Sequence, residues 1–212
     1  MLRAPPTSCS RSATVKKSTS RSSRIVHHVL DVKGWLASPP SAESARPGAC
    51  VVCGEASRPV GGGLGLHGHG LRDRQVRGPL EADSSATWVV IACRRYACAA
   101  CGAILTVVPR GVAPRRHYGH AAIAMAFALW AIAQHPVVEV RRRVCAWRIS
   151  HETRWPTLMR WARAARHEFA DASMTLVDAA ARAAQIAIGR APPHARHAER
   201  WAQAFAGGAA MP

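Results

Sequence analysis

Two pairs of cysteines have the spacing of metal ligands. Cys50 and Cys53 lie in the segment CVVCGE, and Cys98 and Cys101 lie in CAACGA. Two residues between thiolates allow both sulfurs to reach one tetrahedral ion, and the glycine after each pair permits a tight turn. Four thiolates would make a closed structural site, so we predict that Cys50, Cys53, Cys98 and Cys101 together bind Zn²⁺.

Other interpretations of these cysteines stay open. The 44 residues between Cys53 and Cys98 exceed the usual spacing, so a glycine-rich loop and a hairpin must lie between the pairs. A redox pair would need one such motif at a strand-to-helix junction, whereas both pairs lie beside predicted strands. Unliganded core thiols are a third interpretation. His67 or His69 is an alternative ligand that would replace one cysteine.

The charge of the chain indicates its class of partner. There are 29 Lys and Arg against 12 Asp and Glu, which gives a formal net charge of +17. Such a field attracts polyanions, and nucleic acid is the commonest of these because binding releases counterions from the phosphates. A membrane surface and a merely soluble basic protein are the competing interpretations.

The sequence argues against a membrane partner. Its most apolar segment, residues 121–133, is too short to span a bilayer. The N-terminus is basic but lacks the apolar stretch of a secretory signal. We therefore expect a cytoplasmic, nucleoid-associated protein, in which the seven cysteines are ligands or free thiols and not disulfides.

Composition divides the chain into four segments. Residues 1–46 are rich in Ser and basic residues and predict a disordered tail, in which IVHHVLDVKGWL could form a short element. Residues 47–112 contain β-branched stretches, which predict a small antiparallel zinc ribbon with Cys93 in its core. Residues 113–190 are alanine-rich and predict an all-α bundle that is helix-turn-helix-like, and 191–212 predict a tail. The expected fold class is α+β.

Four helices are expected in the second half of the chain. They cover about 118–134, 137–145, a third segment from 156, and 173–188, where Gly189 is a favoured C-cap. The second and third helices could form a helix-turn-helix unit. Their connection is longer than the usual three or four residues, so a plain basic helical bundle is the alternative.

Arginines cluster in both halves. Those in the β segment predict a surface that contacts phosphates around the metal site, and those on the third helix predict a recognition helix. A solvated charged face is the alternative for each of them. The candidate nucleic-acid contacts are Arg72, Arg74, Arg77, Arg94, Arg95, Arg115, Arg116, Arg160, Arg163 and Arg166.

Three segments together resemble a known arrangement. CVVCG, HGHGLRDRQVRG and VVIACRRYACAACG resemble the N-terminal zinc-finger region of bacterial insertion-sequence transposases. The continuation resembles uncharacterised bacterial proteins that share this region and a helix-turn-helix-like segment, so that the resemblance covers about residues 50–166. It implies a metal role for the four cysteines and a DNA-contacting role for the basic strands and helices.

The resemblance does not extend to a catalytic domain. In the transposases that this region resembles, three metal-binding carboxylates lie on a downstream RNase H-like sheet. After Pro109, the carboxylates of this chain all lie within or beside alanine-rich helices. We therefore expect no nuclease or strand-transfer activity, and no enzyme.

The sequence thus predicts a zinc-dependent protein that binds duplex DNA, either transposase-derived or regulatory. A homodimer, or a partner from transposition or regulation, is compatible with this interpretation. The alternative is a zinc ribbon that serves as a protein-interaction module. A metalloenzyme would need an open coordination position, which four thiolates do not leave.

Overall fold

The computed structural model describes residues 22–114, 116–147 and 154–211, and within them it shows an α+β fold. The strands are β1 (Ser23–His27), β2 (Leu66–Gly78), β3 (Thr87–Cys98) and β4 (Ile104–Val108). The helices are α1 (Val32–Ala37), α2 (His120–Phe127), α3 (Val137–Val144), α4 (Pro156–Glu168), α5 (Leu176–Gly189) and α6 (Arg200–Ala209).

The strands form one mixed sheet in the order β1-β4-β3-β2. β2 and β3 make a long antiparallel hairpin, and β4 pairs antiparallel with β3. β1 pairs parallel with β4, with Ser23 opposite Ile104. A bulge interrupts the hairpin between Gly68 and Leu71, where Gly70 has a φ of +84° that favours glycine.

The expected small antiparallel ribbon followed by an all-α bundle was wrong. β1 comes from the predicted disordered tail, and its parallel pairing makes the sheet mixed. β1 and α1 form because they contribute apolar side chains to the sheet core: Trp35 is buried, and Ile25 and Val26 pack against the same cluster. The first part of the predicted tail, residues 1–21, lies outside the described residues.

The helices do not stand apart from the sheet. The backbone N–H of Arg77 in β2 donates to the carbonyl of His117 at 2.7 Å, and the N–H of His120 donates to the carbonyl of Gly111 at 2.7 Å. A Cβ atom on Gly78 would lie 2.6 Å from that of Ala122 in α2. The end of β2 therefore packs directly on the start of α2, which overturns the prediction of a separate bundle.

The prediction that α3 and α4 form a helix-turn-helix-like unit was also wrong. Residues 145–155 separate α3 from α4, a longer connection than that motif uses. Both ends of the connection turn inward, because Cys145 and Trp155 are buried in the helical core. Residues 148–153 of the connection lie outside the described residues.

The predicted helix positions themselves are confirmed. α2 continues as a π-helical segment, Ala128–Ile132, across the predicted 118–134. α3 and α4 lie where 137–145 and the segment from 156 were expected. α5 begins after a capping box in which the Thr175 hydroxyl accepts a bond from the N–H of Asp178, and it ends at Gly189. α6 lies in the segment expected to be a tail.

α6 approaches its neighbours at backbone contact. A Cβ atom on Gly207 would lie 1.7 Å from the carbonyl oxygen of Ala187 in α5. We expect Gly207→Ala to lower the free energy of unfolding by about 3 kcal/mol, because backbone atoms cannot move aside as a flexible side chain can. Gly189→Ala is the matched control, since its Cβ would meet no atom within 4 Å. Urea denaturation measures both, and equal stabilities would contradict this packing.

No helix in the described parts of the chain is both long and apolar enough to cross a membrane.

Candidate metal centre

The two cysteine pairs form the same local structure. In the first, the N–H of Gly54 donates to the carbonyl of Cys50 at 2.8 Å, and in the second the N–H of Gly102 donates to that of Cys98 at 2.9 Å. Gly54 and Gly102 have φ values of +78° and +70°, a region that favours glycine. The sequence Cys-x-x-Cys-Gly thus closes a tight turn that places both sulfurs of a pair on one side.

The long hairpin explains the wide spacing between the pairs. β2 begins at Leu66, soon after the first pair, and runs out and back through β3 to Cys98, its register partner. The N–H of Gly65 donates to the carbonyl of Ser57 at 2.9 Å, which holds the start of β2 against the first turn. A Cβ on Gly65 would lie 2.1 Å from the carbonyl oxygen of Ala56, so this junction requires glycine.

The four sulfurs meet in one cluster. The Sγ atoms of Cys50 and Cys101 are 3.8 Å apart, and those of Cys53 and Cys98 are 3.7 Å apart. All four lie within 4.8 Å of one another, and each of these cysteines is a free thiol. A tetrahedral ion with metal–sulfur bonds of about 2.3 Å needs sulfurs about 3.8 Å apart. The cluster therefore fits a tetrahedral metal ion, as predicted for these four residues.

Burial differs between the first and second cysteine of each pair. Cys50 and Cys98 are buried, whereas Cys53 and Cys101 are exposed. Cys98 is the last residue of β3, so its sulfur is fixed by the sheet. Neither pair precedes a helix, so the strand-to-helix junction of a redox motif is not formed here.

Backbone donors and neighbouring thiols move the pKa values of the cluster in opposite directions. Burial raises the pKa of the Cys50 thiol, but the N–H groups of Cys53 and Val52 outweigh it and lower the pKa to about 7. The N–H of Glu55 lowers the pKa of Cys53, but the Cys101 thiol and the rest of the cluster raise it to about 12. One thiolate therefore forms readily, and the negative charge discourages the others.

The remaining candidate ligands lie elsewhere. His67 and His69 are exposed on β2, and the metal-binding group found among the described residues contains only the four cysteines. Cys93 is fully buried in the sheet core, as expected. The Cys145 thiol accepts a hydrogen bond from the Tyr118 hydroxyl at 3.1 Å within the helical core.

The predicted arginines of the hairpin divide between the two faces of the sheet. Arg72 and Arg74 pair with Cys93 and Ile91, so they share that face, while Arg77 lies on the other with Trp88. This division was expected. Arg95 pairs with Thr106 on the first face, and Arg94 lies on the second, where its Nε donates to the carbonyl of Pro40 at 2.8 Å.

Arg72 and Arg74 line a cleft of about 920 Å³ together with residues that the sequence did not single out. We call it the arginine cleft and define it by Arg24, Arg72, Arg74 and Arg116. Arg24 precedes the stretch IVHHV, whose β-branched residues overlap β1 and are the sequence signal for a strand here. Arg115 lies outside the described residues.

The arginines of α4 form a separate surface. Arg160 and Arg163 are exposed on the side of α4 away from the buried Leu158, whereas Arg166 is half-buried and follows the buried Ala162 by one turn. They are not among the residues that line the arginine cleft. Six of the predicted contacts thus fall into two groups, three in the cleft and three on α4, whereas Arg77, Arg94 and Arg95 belong to neither.

Comparison with protein-family models, characterised proteins and solved structures gives no match for this chain. The resemblance to the zinc-finger region of insertion-sequence transposases therefore stays a prediction from the sequence.

Proposed function

We propose that the chain is a DNA-binding protein whose sheet is stabilised by zinc held by Cys50, Cys53, Cys98 and Cys101. One observation carries the proposal: β3 has Cys98 at its end and Cys93 in the lining of the arginine cleft. Five residues of strand span about 17 Å. A metal that fixes the end of β3 would therefore also fix the strand beneath the positive charges.

Zinc is the ion that the donor set favours. Four thiolates in tetrahedral arrangement suit zinc and exclude the oxygen-preferring cations. With all four positions occupied by sulfur, no position remains for a water or a substrate, so the proposed role is structural and not catalytic. The carboxylates of the helical half support this: Asp178 caps α5, and Glu139 pairs with Arg142 within α3.

Duplex DNA is the proposed partner because the charge is distributed over exposed surfaces. The net charge of +17 is accompanied by exposed arginines on both the sheet and α4. Phosphate contacts from such surfaces position a protein without reading sequence, and their strength falls steeply with salt. We propose that the protein works on the nucleoid.

The test is binding of a fluorescent duplex followed by anisotropy as salt is raised. Each phosphate contact contributes about 0.9 to the slope of log affinity against log salt, so three contacts predict a loss of about fortyfold between 50 and 200 mM. Arg160→Glu, Arg163→Glu and Arg166→Glu together should weaken binding and reduce this slope. If the triple variant binds the duplex as tightly as the unchanged chain, α4 is not part of the interface. If the unchanged chain does not bind the duplex at low salt, the proposed DNA-binding function is refuted.

Exposed aromatic residues favour a second candidate, the protein-interaction module. Trp88 and Trp147 stack with ring centroids 6.4 Å apart, and about half of each side chain stays exposed. Val90 lies exposed on the same sheet face as Trp88. Apolar surface of this kind is typical of protein contacts. If the zinc-loaded chain failed to bind DNA, this face would be the surface to test.

A further inference from the structure

The floor of the arginine cleft is formed by three neighbouring strands. Cys93 of β3 is fully buried there, Thr106 of β4 is nearly so, and Ile25 of β1 lies beside them. Pro114 and His117, from the loop after β4, line it from above. The volume of about 920 Å³ is at the upper end of the range for ligand sites. The strand that the sequence assigned to a disordered tail therefore completes a preformed site.

The charges of this cleft are strongly unbalanced. Four guanidinium groups line it, from Arg24, Arg72, Arg74 and Arg116, against one carboxylate, that of Asp73. Within the described residues, none of these arginines forms an ion pair. Asp73 pairs with Ala92 in the sheet register, so it lies on the other face from Arg72 and Arg74. This balance of charge favours an anionic ligand.

Arg74 holds a loop over the cleft, and burial of its guanidinium group is energetically unfavourable. Its Nη2 donates to the carbonyl of Ala113 at 2.5 Å and to that of Arg116 at 3.1 Å, which fixes the loop carrying Arg116 over the sheet. Its Nε is buried and has no hydrogen-bond partner among the described residues. Burial lowers the pKa of Arg74, because a desolvated guanidinium lacks a countercharge. A bound anion would supply that countercharge.

The lining also defines the chemistry of the ligand. Among the described residues it has no Trp, Tyr or Phe, and His117 is its one aromatic ring, so contacts to phosphate outnumber possible contacts to a base. Guanidinium groups bind phosphate oxygens in pairs, and the Thr106 hydroxyl is a further donor for such oxygens. A whole duplex cannot enter a cleft of this size, but the backbone of one strand can.

We propose that the arginine cleft is a phosphate-binding site, with Arg72 and Arg116 as the principal contacts and Arg74 as the residue that positions the loop. The phosphates belong to one strand of DNA or to a free polyphosphate, which present the same anionic oxygens. Binding of a DNA strand presupposes the DNA-binding function proposed above, whereas binding of a free polyphosphate does not.

The test compares two double variants of the full zinc-loaded chain. Arg72→Gln with Arg116→Gln removes two charges from the cleft, and Arg190→Gln with Arg196→Gln removes two from exposed positions beyond α5. Duplex binding is measured by anisotropy over a range of salt, and sodium tripolyphosphate binding by calorimetry. The cleft variant should lower the salt slope by about two, since each lost contact removes about one, and should abolish tripolyphosphate binding. The matched variant should change the salt slope and tripolyphosphate binding only by the small effect of losing two positive charges, which both variants share.

The outcomes separate the two proposals. If both double variants bind the duplex with the same salt slope and bind tripolyphosphate equally well, the cleft is overturned while the DNA-binding function stands. If tripolyphosphate binds through Arg72 and Arg116 but DNA does not bind, the cleft stands and the DNA-binding function falls. If neither ligand binds, both are overturned. Arg72→Lys with Arg116→Lys keeps the charge, and its retained binding would show that the loss in the glutamine variant comes from the removed charges. An unchanged circular dichroism spectrum and zinc content of the glutamine variant would show that it is folded.

Discussion

Cys98→Ser is expected to reduce the metal content of the purified protein from one ion per chain to almost none. Serine does not supply the thiolate that zinc requires, and three sulfurs would leave an open, weak site. Structural zinc contributes about 10–16 kcal/mol of apparent binding free energy in small metal-dependent folds. Cys98 ends β3 and pairs with Leu66 at the start of β2, so its loss should release both strands at this end.

Two measurements check this expectation. Elemental analysis after gel filtration gives the metal content, and hydrogen exchange shows which amides lose protection. The helices contact the sheet at Gly78, the end of β2 that lies far from Cys98, and the apolar residues of the two parts form two clusters, so β3 should lose protection while α5 keeps it. Cys93→Ser is the matched control, because Cys93 lies on the same strand, is buried and is outside the sulfur cluster. Full zinc content in Cys98→Ser would contradict the four-sulfur site.

The metal centre was predictable because each half of it is local. The turn in Cys-x-x-Cys-Gly depends on adjacent residues, and the positive φ of Gly54 and Gly102 follows from the lack of a side chain. That the two cysteine pairs meet was harder to predict from the sequence, because it depends on the hairpin between them. The β-branched residues of β3 indicated a strand but neither its length nor the bulge in its partner β2.

The mixed sheet was not predictable by the same means. β1 is held by parallel pairing with β4, a contact between residues about eighty positions apart, such as Ile25 and Thr106. Its five residues follow a stretch of Ser and basic residues, so composition assigned them to a tail. Pairing over such a distance is decided by burial of Trp35 and its neighbours and not by local propensity.

The roles of single arginines also required the structure. Arg74 and Arg94 were predicted to contact phosphates, but both donate hydrogen bonds to backbone carbonyls and hold loops on the sheet. Arg72 and Arg116 point to the same cleft from distant parts of the chain. Charge counts predict the class of ligand, whereas the division between anchoring and contacting arginines depends on tertiary packing.

Metal affinity should fall steeply with decreasing pH, and more steeply below about pH 7 than above it. Zinc displaces each thiol proton, and every displaced proton lowers the apparent affinity tenfold per pH unit. The N–H of Glu55 lowers the pKa of Cys53, but the other thiols raise it to about 12. The N–H of Ala103 lowers that of Cys101, but burial and neighbouring thiols raise it. Both therefore keep their protons around neutral pH, so zinc displaces two protons and its apparent affinity changes about a hundredfold per pH unit.

The change of slope of metal affinity near pH 7 comes from Cys50. Burial raises its pKa, but the N–H groups of Cys53 and Val52 lower it from 9.0 to about 7. Above pH 7 this thiol has already lost its proton, so zinc displaces none from it. Below pH 7 the proton is present and must leave, which raises the expected dependence of these three thiols to about a thousandfold per unit.

Competition with a chelator of known proton affinities, from pH 6 to 9, measures this dependence. Cys93→Ser should give the same profile, because burial raises the pKa of Cys93 to about 11 and its thiol is not part of the cluster. A profile with constant slope across pH 7 would show that the backbone N–H groups of the first turn do not stabilise the Cys50 thiolate. The turn would then position the sulfur without preparing its charge for the ion.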